Sequence, residues 1–300
     1  MAAATAIAEA PSAPRSSSLW SLTAHELKRM AANPVLILLT PVVAAALVSS
    51  LHRPLSDVDG LAGSMGSLLG GFGLMAAFWM TTSTRHAEAS LGVAPISPIR
   101  RTVALCLSTA VPFALGMLSF LAILTFQHIA SSTTYGLLSS TDRTLMLLSQ
   151  TVLPAIGGPL LGIALARWWP GAWVPVTAFL VLIAWILVAE GVTSYLPNAA
   201  GAVWLRLFAP FALFISSGSN GAVVQTWRGS VGWFLGWQIA LCLLAITVAL
   251  LRDASALQRI WLRRALAVIV VGAVVCLGFA ATGGLSHALV VDPSGHIARV

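Results

Sequence analysis

The chain has 300 residues, of which 58% are hydrophobic and only 8% charged, and its mean hydropathy is +0.92. Soluble domains carry about 25% charged residues, so this composition excludes an ordinary water-soluble globule. The net charge is +7, from fifteen arginines and one lysine against nine acids. That charge is scattered between apolar runs, which reads as positive-inside topology and not as a nucleic-acid surface.

Seven apolar stretches, most close to twenty residues long, lie between positions 33 and 284. A bilayer core about 30 Å thick takes about 20 residues of helix to cross. The predicted fold class is therefore an all-α polytopic membrane protein whose spans form one bundle. Residues 1–18 are Ala, Pro and Ser with few charges. They lack the basic start and apolar core of a signal peptide, and predict a disordered cytoplasmic tail.

Residues 19–32 set Leu19, Trp20, Leu27 and Met30 against His25, Glu26, Lys28 and Arg29. This pattern suits an amphipathic helix lying in the membrane interface, with a plain juxtamembrane linker as the alternative. Span one is predicted at 33–51, followed by a polar loop at 52–60. Span two, 61–82, carries Gly63, Ser67 and Gly71 four residues apart, with Gly66 and Gly70 beside them. Small residues at that spacing admit close helix approach, either within the chain or at a dimer seam. A polar loop at 83–101 holds Arg85, His86, Glu88, Arg100 and Arg101.

Span three is predicted at 102–126 and a Ser/Thr-rich loop at 127–143. Span four, 144–166, contains Pro154, Gly157, Gly158 and Pro159, which predict kinks. Arg167-Trp168-Trp169-Pro170 reads as a tight interfacial turn, and span five, 171–189, ends at Glu190. The apolar segment 199–217 is interrupted by Arg206 and Pro210. A charge at mid-bilayer costs about 2.5–3.5 kcal/mol, so this segment reads as a broken, re-entrant or interfacial hairpin. Span six is predicted at 231–251, a basic linker at 252–264, span seven at 265–284 and an outer tail beyond.

With the N-terminus inside, eleven basic residues fall on the cytoplasmic side and five outside. This asymmetry predicts a cytoplasmic N-terminus and, after seven spans, an outer C-terminus. Arginine in place of lysine, with abundant Ala, Gly and Val, suggests a bacterial plasma membrane.

Motifs for chemistry are absent from the sequence. Cys106, Cys242 and Cys276 all fall in apolar runs and read as packing residues. His25-Glu26 does not begin an H-E-x-x-H zinc motif, because position 29 is Arg. Lys28, the sole lysine, has no preceding glycines, so there is no Walker A sequence. Glu190 caps span five, forms an outer ion pair with Arg206, or serves a substrate or proton. No other acid approaches a span interior in this reading. The energy for any transport is therefore expected from outside this chain, and no metal or cofactor of its own is expected.

The loop Arg85-His86-Ala87-Glu88-Ala89-Ser90-Leu91-Gly92-Val93-Ala94-Pro95-Ile96-Ser97 carries a resemblance. Its basic residue, Glu, Leu, small residue, Pro and Ser resemble the loop between spans two and three in permease subunits of the type-2 class of ABC exporters. The stretch from Leu19 to Asn33-Pro34, with Glu26, Lys28 and Arg29, resembles that family's elbow helix. Residues 199–217 resemble its re-entrant helices before span six. The resemblance covers about 19–251 and implies a six-span permease domain at 33–251. It implies a coupling loop at 83–101 in which Arg85, Glu88, Leu91, Pro95, Arg100 and Arg101 contact a separate ATPase that binds ATP and Mg. Two permease copies, or this chain and a paralogue, would form the pathway. Phe72, Phe78, Phe179 and Trp185 on spans two and five are the pathway candidates, for an amphipathic or lipid-like substrate such as a drug, an antibiotic or a lipid. The extra span departs from the family and is a candidate site for an accessory subunit. A non-transport assembly or sensor subunit is the alternative function, and a membrane enzyme is disfavoured by the absent catalytic cluster.

Overall fold

A computed structural model describes residues 19–50, 58–91, 97–129, 140–195, 207, 215–217, 223–226, 230–282, 289–291 and 297–299. Helix α1 (Leu19–Ala31) runs into α2 (Pro34–Ser50) across a 57° bend. The break has a local cause. Asn33 Oδ1 accepts the Val35 N–H at 3.0 Å as an N-cap, and Pro34 fills the first helical position where no N–H is needed.

Helix α3 (Val58–Leu91) is followed by α4 (Pro98–Ser108), again opened by a proline. After a one-residue break at Thr109 comes α5 (Ala110–Ile129). At the break the Ser108 and Thr109 hydroxyls donate to the carbonyls of Leu105 and Cys106, both at 2.7 Å. Then come α6 (Ser140–Trp168), α7 (Val174–Tyr195), α8 (Val231–Asp253) and α9 (Ala256–Ala281).

Among the described residues, five stretches are long and apolar enough to cross a membrane: Ala62–Arg85, Pro98–Thr125, Thr144–Trp168, Val231–Asp253 and Ala256–Ala281. The bent pair α1–α2 makes a sixth if it counts as one span. The protein is thus a membrane-embedded helical bundle. All seven predicted spans fall on helices, but α2 has only 17 residues, with Pro41 inside it. The described apolar part of α7, Val174–Val188, is also shorter than a full crossing.

α3 and α6 form the centre, with 67% and 72% of their apolar windows buried, whereas α9 at 17% packs on the outside against α8. The central seam is made of small residues. A Cβ at Gly66 would overlap the Gln150 carbonyl, one at Gly158 the backbone of Gly70, and one at Gly162 the backbone of Leu74. The two helices therefore touch backbone to backbone over three turns, as small-xxx-small rows permit. This assigns Gly66 and Gly70 to packing within the chain. Gly71 faces a different neighbour, the Phe179 ring of α7. Pro154 and Pro159 lie inside α6, which stays helical through both.

By contrast, nothing lies within 4 Å of a Cβ built at Gly272 or Gly278 on α9. Glycine costs about 1 kcal/mol against alanine inside a helix. The Gly272→Ala/Gly278→Ala variant is expected to melt a few degrees above the wild type in a detergent thermal-shift assay. An unchanged or lower melting temperature would contradict the open surroundings of both positions.

Two sequence expectations need correction. The basic linker 252–264 is mostly helix, because Ser255 and Gln258 form a reciprocal capping box that starts α9 at Ala256. The predicted loop 83–101 is helical at both ends. α3 continues to Leu91, and Arg100 and Arg101 lie in the first turn of α4. The fold class itself stands: the membrane-embedded part is all-helical, and four short strands lie outside its helices. Strands β1 (Ile215–Ser217), β2 (Val223–Thr226), β3 (Leu289–Val291) and β4 (Ile297–Arg299) form one antiparallel sheet in chain order. Val223 pairs with Val290, and Leu289 with Arg299. Part of the segment expected to be re-entrant, Ile215–Ser217, is thus strand; Leu207 apart, residues 199–214 lie outside the described residues.

Candidate functional site: a polar platform and an apolar cleft

The end of α3, the starts of α4 and α9, and the ends of α6 and α8 meet at one end of the bundle, beside α1. Two side-chain networks tie them together. In the first, Glu26 is buried on α1 and pairs with Arg29 at 2.9 Å. Arg29 also donates to Thr84 Oγ1 at 2.9 Å and to Ser83 Oγ at 3.1 Å, which clamps α1 onto α3. Lys28 points away and is exposed.

The second network centres on Arg167 and Asp253. The Arg167 side chain is only 3% exposed, and its Nε lies 3.4 Å from Asp253 Oδ2. Thr102 on α4 donates a hydrogen bond to the same oxygen. Arg85 reaches across from α3 and donates to the carbonyls of Ala166 at 2.8 Å and Arg167 at 3.2 Å. These are the last carbonyls of α6, which have no partner within the helix. Arg85 thus caps α6 and favours its negative dipole end. Arg85 and Arg101 both lie close enough to act electrostatically on Arg167. The cluster therefore holds three guanidiniums around one carboxylate. Nearby, Arg252 stacks over the Trp168 ring at 5.5 Å, and Trp168 Nε1 donates to the Val248 carbonyl at 2.9 Å.

Of the predicted coupling residues, the structure brings Arg85 and Arg101 together beside Arg167, and leaves Arg100 exposed. Glu88 and Leu91 lie on the last turns of α3, with side chains outside the described set, and Pro95 lies outside the described residues. So do the Glu190 side chain and Arg206, the expected outer pair. Arg167, Asp253 and Thr102 were not singled out from the sequence. Their signal was weak, since a lone Arg and a lone Asp at two helix ends look like ordinary flanking charges.

The pathway candidates split. Phe72 and Phe179 meet across α3 and α7, with ring centroids 5.8 Å apart. Phe78 is buried in the bundle and Trp185 is exposed.

A separate cleft of about 490 Å³ lies between α6 and α8. Its walls include Leu153, Leu161, Trp237, Cys242 and Val248, and the side chain of Gln238 is its one amide. No predicted pathway residue lines it. Among the described residues, no group of three or more His, Cys, Asp or Glu is placed to hold a metal.

No family model matches the chain, and no curated protein or solved structure is significantly similar to it. The class that fold and site define is a membrane-embedded helical bundle with a cross-linked polar platform at one end.

Proposed function

We propose that the chain is the membrane-spanning permease subunit of an ATP-driven exporter of the type-2 ABC class, lodged in a bacterial plasma membrane with the platform on the cytoplasmic side. ATP and Mg would be bound by a separate ATPase, and a second copy or a paralogue would complete the pathway for an amphipathic or lipid-like substrate. The observation that carries this reading is the platform itself. α1 bends 57° from α2 and is clamped to the end of α3, whose helix continues to Leu91, beyond the apolar span. A push on the α3–α4 connection would reach α1 through Arg29, α6 through Arg85, and α8 through Thr102 and Asp253. The basic residues Lys28, Arg29, Arg85, Arg100, Arg101, Arg167, Arg252 and Arg259 gather at this end, which favours a cytoplasmic placement.

The test is a mild-detergent pull-down of the tagged chain from its native membrane, followed by a hydrolysis assay. A co-purifying Walker-A protein with vanadate-sensitive ATPase activity is the expected result. Recovery with a partner that lacks a nucleotide site would replace the exporter reading with that of an assembly or sensor subunit.

Arg85 is a poor probe of coupling, because its loss would uncap α6. Arg100 is exposed, and its reversal leaves the bundle intact. Arg100→Glu is expected to weaken ATPase association about fivefold, since one exposed charge pair contributes about 1 kcal/mol. Equal recovery of the ATPase with wild type and R100E would remove the start of α4 from the docking surface.

A further inference from the structure

Helix α9 touches the bundle by one edge, through Ala273, Leu277 and Ala280, and its opposite face is bare. Two rows run down that face. Arg263, Ala267, Val270 and Val274 follow one another at steps of four, three and four residues. Arg264, Val268, Val271 and Val275 repeat the same steps beside them. Such steps keep side chains on one face of a helix, and all eight residues are exposed. Each row therefore starts at an arginine and continues as uncovered aliphatic surface. From Arg264 to Val275 it runs about 16 Å at 1.5 Å per residue, close to half of a hydrocarbon core about 30 Å thick.

The charge at the head of the rows has no counter-charge in the chain. No Asp or Glu occurs between positions 254 and 282, and Asp253 faces Arg167. Among the described residues, Arg263 makes no hydrogen bond or ion pair. Arg264 makes none either, and its guanidinium lies over the Trp261 ring, 5.3 Å from the centroid. Arg259, one turn before Arg263, donates to the Ala254 carbonyl at 3.3 Å. Trp261 is itself exposed, as an indole at headgroup depth is. Guanidiniums pair with phosphate oxygens through parallel N–H donors. The arginines thus select an anion, and the rows below them select hydrocarbon chains about one leaflet long. A zwitterionic headgroup would bring its own cation against the arginines. A partner helix would need a row of small residues for close approach, as between α3 and α6, and neither row here has one.

We infer that the outer face of α9 is a binding site for an anionic phospholipid, whose phosphate sits between Arg263 and Arg264 and whose acyl chains lie along the two rows. The inference rests on the membrane placement of the bundle and not on the exporter reading. A chain that recruits no ATPase keeps the site.

The test is native mass spectrometry of the purified chain in mild detergent, with equimolar dioleoyl phosphatidylglycerol and dioleoyl phosphatidylcholine. The phosphatidylglycerol adduct is expected to dominate. Arg263→Gln/Arg264→Gln is expected to weaken it roughly 25-fold, at about fivefold per arginine. Lys28→Gln/Arg100→Gln removes the same charge from exposed positions on α1 and α4 and is expected to leave the adduct unchanged. Equal adducts of the two lipids, or equal losses in the two variants, overturn the site. A second arm uses the wild type, so it stands even if a variant fails to insert. Phosphatidylglycerol with a diazirine at the far end of one chain is photolysed with the protein. Labelling is expected within 267–275, suppressed by excess unlabelled phosphatidylglycerol and not by phosphatidylcholine. Labelling confined to other helices overturns the placement. Suppression by glycerol 3-phosphate alone would make this a site for a soluble phosphate, and a dimer that excludes the lipid would assign the face to a second copy; either result overturns the lipid.

Discussion

Gly158→Ala is expected to lower the melting temperature of the purified bundle by roughly 6–12 °C, while Gly157→Ala leaves it within a few degrees of wild type. The two glycines are adjacent on α6, and composition cannot tell them apart. A Cβ on Gly158 would overlap the backbone of Gly70 on α3, and a backbone cannot rotate away as a side chain can. The helices must separate, and that opens the seam at Gly66 and Gly162 as well. Overpacking typically costs about 1–3 kcal/mol, backbone against backbone takes the upper end, and one kcal/mol shifts the melting temperature by roughly 2–4 °C for chains of a few hundred residues. A Cβ on Gly157 meets only the thiol of Cys242 at ordinary contact distance, and gains in helix propensity. Thermal denaturation in detergent, read by size-exclusion chromatography, separates the two cases. Similar losses in both variants would mean that α3 and α6 do not meet along the Gly70–Gly158 line.

Asp253→Ala carries the second large effect. Asp253 is the carboxylate that faces the buried Arg167, and it accepts from Thr102 as well. Removing it leaves a guanidinium in a nearly dry site with Arg85 and Arg101 beside it, and no counter-charge. Breaking a buried pair from one side costs about 3–5 kcal/mol. Replacing both partners is much cheaper, because no stranded charge remains. The double variant Arg167→Met/Asp253→Leu is therefore expected to be recovered in better yield, and to melt higher, than Asp253→Ala alone. A single variant within about 1 kcal/mol of wild type would show that Arg167 reaches water or another acceptor without Asp253.

The helices were legible in the sequence because apolar length alone specifies them. One start signal was legible too: Asn33-Pro34 set a boundary that the structure places at α2, whereas Ser97-Pro98, which opens α4, was read as part of a loop because Arg100 and Arg101 follow it. The capping box at Ser255 was equally present, yet the arginines that follow it read as a linker. Long basic side chains at a helix end stand beyond the apolar span without ending the helix. The platform was half legible. Arg29 and Arg85 stood out as charges flanking apolar runs, but their partners are hydroxyls and carbonyls from remote segments, such as Thr84 and Ala166. Pairings of that kind leave no pattern in the order of residues. The sheet was missed for the same reason, since its β2–β3 pairing joins positions more than sixty residues apart. The cleft was not legible at all. Leu153, Trp237 and Cys242 are ordinary residues of apolar helices, and only the way α6 and α8 diverge makes a space between them.

The pairing of β2 with β3 also sets a rule of parity. β2 lies before α8 and β3 after α9, and paired strands sit about 4.8 Å apart. A hydrocarbon core about 30 Å thick cannot separate them. The number of membrane crossings between Thr226 and Leu289 must therefore be even, so α8 and α9 cross together or not at all. A reporter placed after Thr226 and another placed at the C-terminal end must report the same compartment, whichever way the rest of the bundle is oriented.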